Sequence, residues 1–567
     1  MSKQGMKNDE TTRGMLQMKK FCLFLSIVLA ITIFSGTNNV YAAANPTVRI
    51  GLYYGSRAQS QMVISAEKGI SFLAYDTDSD SEVPVYNSSP GQNINIIKDS
   101  YFTGNGAKLT AVAENGNPTK GPYHLKLKKT YNTYNEAVKD VNTYNQKGIK
   151  AYPVYTDSGW NVWTGFYIDQ KAASSDMAEV LKKLGKVECT VVDKSDTRIY
   201  GADSATGDII FMFASDHKVL RGKPMKGEPV KIGTDKLNTY RGQVEFRRIT
   251  GSDMTIINIL QMEEYLYGVV PNEIESYSHI EAIKAQAVAA RTYAHLNLTK
   301  SNKANPHLNY GFNLCNDIHC QVYKGMGSES SIANSAVDAT KDMVLTYEGK
   351  LIEAVYSASS GGRTEDASNV WNGAPYLKSV EDKYESGNSP KYNWTLTFTA
   401  DEISQKLKNY NIGNVTSIEI TKVSEAGRPV EVIVKGTLKP EGVKFVKDGC
   451  RTFLGLYSQW YTISTNADIS VMVDGKEEKK QLGQMTIITA DGETKVTDPN
   501  QKVTVVDAEG KSTVLSSVPT EYTFTGRGYG HGVGMSQEGA KGMANAGFTF
   551  DQILLHYYTG TKIEIAK

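Results

Sequence analysis

Cysteine is scarce, with five in 567 residues, and the charges balance to a net +1. That balance gives no reason to expect nucleic acid or a strongly acidic partner, both of which call for a basic surface. No H-E-x-x-H helix occurs, which removes the usual zinc-protease reading. The "SSGG" at 359–362 lacks the G-x-S-x-G frame of a serine-hydrolase elbow. Phenylalanine is sparse, 16 against 33 tyrosines. Tyrosine suits stacking on sugars and is equally at home in extracellular β-rich proteins. The length exceeds one ordinary domain and suggests about two to four.

Long apolar runs are also lacking, with one exception. Residues 21–34, "FCLFLSIVLAITIF", follow Lys19 and Lys20 and precede small residues at "NNVYAAANP". This is the layout of a signal peptide over residues 1–44, with Ala42 or Ala44 last before cleavage. Translation from Met18 would shorten it. The run falls below the roughly 20 residues a membrane span needs, so the membrane is reached only through this segment, and only if it stays uncleaved. The mature chain is expected outside the cytosol. There Cys315 and Cys320 form a natural disulfide pair, yet His307 and His319 crowd the same 14 residues and supply the N and S donors zinc prefers. Spacing alone leaves both readings open. Cys22 lies in the signal segment, and Cys189 and Cys450 stand alone.

Residues 45–120 alternate apolar and polar in short segments and read as a small β-rich unit. Residues 121–195 follow a β-α-β-β-α-β order, a ferredoxin-like arrangement. Its opening aromatic strand, "EA" helix and "WNVWTGFY" strand resemble the SPOR domain, a family that binds peptidoglycan glycan strands stripped of stem peptides. That resemblance makes Tyr123, Trp160, Trp163 and Tyr167 candidates for stacking on sugar rings, although the alternation does not assign their faces. Residues 197–567 read as a larger β-rich domain with a few helices and a β insertion at about 465–520. The expected fold class is α+β and multidomain.

The densest segment is 257–295, "INILQMEEYLYGVVPNEIESYSHIEAIKAQAVAARTYAH". Ser278-x-x-Glu281 is a capping-box pattern, predicting a helix from about His279 to His295. Lys284 and Arg291, seven apart, share one face of it. Its alanines keep the helix slim. Glu273 precedes it in a Pro271-Asn272-Glu273 loop, where a carboxylate near two cations has the makings of a catalytic acid.

This stretch, with "YSASSGGRTEDASNVWNGAPYLKSVED" (356–382), "CRTFLGLYSQWYTIS" (450–464) and "GRGYGHGVGMSQEGAKGMANAGFTFDQILLHYYTG" (526–560), resembles the stage II sporulation protein D and amidase-enhancer family over roughly 197–567. The family holds lytic transglycosylases that act on denuded glycan and relatives that stimulate a cell-wall amidase. The resemblance implies a peptidoglycan lytic transglycosylase secreted to the cell envelope, with Glu273 of the V-P-x-E element as acid and base. The alternative it leaves is a non-enzymatic enhancer of an N-acetylmuramoyl-L-alanine amidase. Lys284 and Arg291 would orient Glu273 or the sugar. Ser359, Ser360, Tyr376, Tyr529, His531 and Gln537 would contact substrate or brace its groove. The resemblance also tips the cysteine cluster toward a structural zinc, with Cys315 and Cys320 as ligands completed by His307 and His319.

Five glycines alternate from Gly526 to Gly534 around His531. The G-x-G-x-x-G phase breaks at Val533, so this is not a dinucleotide loop. The resemblance makes it the lining of the glycan groove, its missing side chains admitting a bulky strand.

Overall fold

The computed structural model describes residues 45–566 except 186, 388, 390, 482–485, 490–491, 496–501, 507–509 and 517. The expected signal peptide, 1–44, and part of the expected insertion lie outside the described residues. No described helix is long and apolar enough to cross a membrane. Helices and strands are mixed among several sheets, an α+β architecture.

Two large sheets share the main core. The first has seven strands in the order Leu314–Cys315, Thr47–Tyr53, Met254–Gln261, Gln243–Arg248, Lys218–Pro224, Ile70–Asp76 and Ser81–Asn87. The second has ten, running Cys189–Val192, Tyr123–Tyr131, Gly159–Tyr167, Ala151–Thr156, Ile209–Ala214, Ile199–Asp203, Ile94–Lys98, Gln61–Ala66, Val230–Gly233 and Asn238–Tyr240. Alternate residues such as Val48, Ile50 and Leu52 are buried, as a pleated strand with one face inward requires.

This interleaving corrects the expected domain boundaries. Segment 45–120 is not a unit of its own: Thr47–Tyr53 pairs antiparallel with Met254–Gln261, and Ile94–Lys98 with Ile199–Asp203. Its short strands find their hydrogen-bond partners some 100 to 200 residues downstream, a pairing that local alternation cannot reveal. Segment 121–195 contributes four antiparallel strands in the spatial order fourth, first, third, second. Its second strand then pairs in parallel with Ile209–Ala214, so the sheet continues past it.

That continuation decides where the segment's aromatics go. Trp160 is 4% exposed and packs edge-on to Tyr134 and Tyr155. Trp163, also 4% exposed, lies on the opposite face with Tyr152, Phe102 and Leu109, where the hairpin Phe102–Asn105/Lys108–Ala111 closes over it. Neither can stack on a sugar, which overturns their assignment as glycan contacts. Tyr123 and Tyr167 stay partly exposed.

A second core gathers residues of 393–465 and 521–527 around Trp394, Ile403, Val432, Phe445 and Phe524. Its sheets are Asn393–Thr399/Glu521–Arg527/Tyr461–Thr465 and Val415–Val423/Pro429–Gly436/Lys439–Val446. The insertion expected at about 465–520 shows three hairpins: Asp468–Val473/Lys476–Gln481, Thr486–Thr489/Gly492–Lys495 and Lys502–Val506/Ser512–Ser516.

The helix Ile280–Thr299 runs through the main core with 13 of its 20 residues buried. Helices Ser331–Ala339, Gln537–Asn545 and Phe550–Tyr557 and the strand Met343–Tyr347 pack around it, an approach that its buried alanines allow. Its start differs from the capping-box expectation. His279 is the N-cap, its ring accepting from the Glu281 amide at 3.3 Å, while the Ser278 hydroxyl is buried without a partner. The Glu281 carboxylate instead accepts from the amide of Phe550, 2.8 Å away, at the start of the next helix.

The same helix corrects the role expected of Arg291. Its side chain is wholly buried and forks onto Glu263, Nε to Oε1 at 2.8 Å and Nη2 to Oε2 at 2.6 Å, with further bonds to the carbonyls of Met343 and Val337. This is a structural ion pair, far from any surface a polymer reaches. A buried pair is costly to break one-sidedly but nearly neutral to replace whole. Arg291→Ala is therefore expected to lower stability by about 3–5 kcal/mol, and Arg291→Met with Glu263→Leu by much less. Chemical denaturation of both variants checks this; equal losses would contradict it.

Candidate active site

Glu273 ends the four-residue helix Val270–Glu273, which Pro271 helps to start. It opens into a cleft of about 780 Å³ lined by residues drawn from much of the chain, from Glu273 to Gln537. The amide of Val322 donates to its Oε1 at 2.9 Å. Burial pushes its carboxyl above the ordinary glutamate value; the Val322 amide and the side chains of Gln537 and Tyr356 pull back only part of that rise. The carboxyl thus keeps its proton to a higher pH than a solvated glutamate.

Tyr356 and Gln321, neither of them expected as site residues, complete this setting. The Tyr356 phenol is held well above its ordinary range by burial first and by the Glu273 carboxylate second, so it stays protonated. Its oxygen accepts from Gln321 Nε2 at 3.0 Å, leaving its own proton for Glu273. Gln537, as expected, faces this site, and its Nε2 donates to Gln286 of the central helix at 3.3 Å.

The glycine loop forms the opposite wall with Tyr529, Gly530 and His531. Against the expectation of room for a ligand, Gly528, Gly530 and Gly534 make room for the chain 355–361, and Gly526 and Gly532 for Trp394 and Arg428. A Cβ on Gly530, at φ 106°, would sit 2.8 Å from Ser357 Cβ, and one on Gly534, at φ 71°, would sit 2.2 Å from the Val355 carbonyl oxygen. His531 is in the cleft but committed: its Nε2 donates to the Tyr356 carbonyl at 2.9 Å and its Nδ1 accepts from Val533 N at 3.0 Å. Burial, aided by the nearby Arg451 cation, lowers its pKa to about 4, so it is a neutral brace. The exposed rings of Trp371 (37%) and Tyr529 (45%) offer the flat faces here, Trp371 lying 4.8 Å from the His531 ring.

Four expected contacts lie elsewhere. Ser359 and Ser360 are buried and donate to Glu385 and Asp382, Ser360 Oγ reaching Asp382 at 2.7 Å. Tyr376 is outside the cleft lining, its hydroxyl accepting from the Glu353 amide at 3.1 Å. Lys284 is likewise absent from the lining and pairs with Glu281 at 2.7 Å. Among the described residues that line the cleft, the permanently cationic side chain is Arg451, and a second carboxylate is Glu353, 3.5 Å from Lys300. Arg451 lay inside the quoted 450–464 segment, but no spacing rule connected it to Glu273.

Beside the cleft, His307, Cys315, His319 and Cys320 converge, with donor atoms all within 4.8 Å of one another. Both cysteines are free. Cys320 Sγ lies 3.4 Å from His307 Nε2 and 3.5 Å from His319 Nδ1. Two thiols and two imidazoles are a donor set that suits tetrahedral zinc. The chain leads directly from this cluster to the acid: Cys320 belongs to it, the Gln321 side chain meets Tyr356, and the Val322 amide holds Glu273.

The cleft is built around one partly desolvated glutamate, and sequence comparison places the chain in a family. Residues 250–347 match the protein family described as Stage II sporulation protein. The stage II sporulation protein D of Bacillus subtilis (strain 168) is 32% identical over 352 residues, 60% of this chain and 84% of that protein. The protein of the same name from Bacillus amyloliquefaciens is 32% identical over 329 residues, covering 56% and 77%. The "Amidase enhancer" of Bacillus subtilis is 32% identical over 304 residues, 53% of this chain but only 40% of that longer protein. The chain belongs to the stage II sporulation protein D family.

Proposed function

We propose that the protein is an exported peptidoglycan lytic transglycosylase that cleaves denuded glycan strands between N-acetylmuramic acid and N-acetylglucosamine. The observation that carries this reading is the Glu273 carboxyl, raised in pKa by burial and facing a cleft with exposed aromatic rings. Protonated, Glu273 donates to the glycosidic oxygen while positive charge develops at C1 of the muramic acid. As carboxylate it then takes the proton of that sugar's C6 hydroxyl, whose oxygen closes on C1 to give the 1,6-anhydro end. One carboxyl serves both steps, because water is not the nucleophile.

His307, Cys315, His319 and Cys320 would hold a structural zinc ion, which supplies a rigid cross-link and no acid–base chemistry. The effect on this chain's own residues is to fix Gln321 and Val322, hence the Glu273 carboxyl. Segment 121–195 serves as a SPOR module for the same polymer, with Tyr123 and Tyr167 as its remaining aromatic candidates. The relative named "Amidase enhancer" favours a second reading, a glycan-binding activator of an N-acetylmuramoyl-L-alanine amidase.

Mass spectrometry of denuded strands incubated with the protein separates these. The expected products end in 1,6-anhydro-N-acetylmuramic acid and fall at least about a hundredfold with Glu273→Gln. Reducing ends, lost with Glu353→Gln, would show a hydrolase with two carboxylates. Binding without cleavage would leave the activator. Metal analysis should find one zinc per chain, lost with Cys315→Ser; a metal-free, fully folded wild type would refute the zinc.

A further inference from the structure

Cleaving the amide that joins a stem peptide to muramic acid leaves a free lactyl carboxylate on every denuded repeat, whereas an intact repeat carries an amide there. A site that prefers denuded strands therefore has an anion to recognise. Lys284 and Arg291, the cations expected to serve the cleft, are engaged elsewhere with Glu281 and Glu263. Arg451 does line the cleft, and it comes from the second core.

Its placement is built. Arg451 Nε and Nη2 bond the Asp448 carboxylate at 2.9 and 3.1 Å, which fixes the guanidinium plane, and Nη1 has no hydrogen-bond partner among the described residues. The turn that carries it is tied to the cleft wall: the Asp448 amide bonds the Val370 carbonyl at 3.3 Å, and Lys447 Nζ bonds the Trp371 carbonyl at 2.6 Å. Trp371 and Tyr529 offer exposed rings in the same cleft, and Arg451 is near enough to His531 to add to the burial that keeps its imidazole neutral. The other charged groups lining the cleft, Glu273 and Glu353, are acidic and would repel a carboxylate at any other point. A planar guanidinium with a free amino group is suited to a carboxylate.

We propose that Arg451 reads the lactyl carboxylate of muramic acid and so makes the cleft selective for glycan without stem peptides. This rests on the glycan-cleft reading above and names its specificity determinant; Arg451 contacts the substrate but moves no proton.

The test measures binding in the Glu273→Gln background, so that turnover plays no part. The ligands are denuded strands with free lactyl carboxylates and the same strands converted to methyl amides. The protein is expected to bind the free acid about tenfold or more tighter, as a charge-assisted hydrogen bond allows. Arg451→Gln erases the difference, and Arg451→Lys keeps part of it. Equal binding of the two ligands by the Glu273→Gln protein, or a preference that survives Arg451→Gln, would overturn the proposal. The ligand comparison needs no variant at Arg451, so it stands if that variant fails to fold. An Arg451-dependent preference in a protein that cuts no glycan would sink the transglycosylase reading alone.

Discussion

The carboxyl of Glu273 is held out of bulk water and touches one backbone amide, that of Val322, 2.9 Å away. Two opposed effects meet there. Removal from water disfavours the charged form, while the amide and the two side chains facing it favour that form, and burial prevails. A general acid needs that balance, because a fully compensated carboxylate would have no proton to give. The rest of the cleft maintains it. Tyr356 stays protonated because its own phenol is buried, and His531 stays neutral because Arg451 and burial oppose its charge.

The groups around the carboxyl come from distant parts of the sequence, and the fold brings them together by close backbone contact. The loop 526–534 lies against 355–361 only because its glycines have no Cβ to obstruct the approach. The central helix can take three helices and a strand around it because its sides are alanine, and the Arg291–Glu263 pair anchors it to the chain before the acid. The cluster of two cysteines and two histidines lies directly before Val322 in the chain. Each device uses buried or small residues to position a few polar ones, which is how a site is made rigid on an irregular scaffold.

Glu273, Gln537, Tyr529 and His531 were legible in the sequence as members of one site, through long motifs rather than through spacing. The helix Ile280–Thr299 was legible from the Ser278-x-x-Glu281 pattern to within a turn, although His279 and not Ser278 caps it. Less legible was which face of each motif meets solvent. Trp163 looks like an exposed platform only when the 121–195 sheet is taken alone, and a hairpin from 102–111 covers it, whereas Trp160 is already covered inside that segment by Tyr134 and Tyr155. Ser359, Ser360 and Arg291 look like substrate contacts by polarity, yet each satisfies a buried partner. Arg451 was missed because its relation to Glu273 is purely tertiary, made by a turn of the second core bonded to the Val370–Trp371 wall. Burial of polar groups in pairs leaves no period in the sequence to read.

The raised pKa of Glu273 is the claim on which the mechanism stands, and a carboxyl carbon-13 titration of the protein, with Glu273→Gln to assign the signal, tests it directly. The predicted midpoint lies above the roughly 4.3 of a solvated glutamate. A folded-state value raised in this way also carries a stability share that is present in acid and lost as pH rises through it. A midpoint at or below the solvated value would mean that Glu273 is an ordinary carboxylate held by its hydrogen bonds, and that this cleft binds glycan without cutting it.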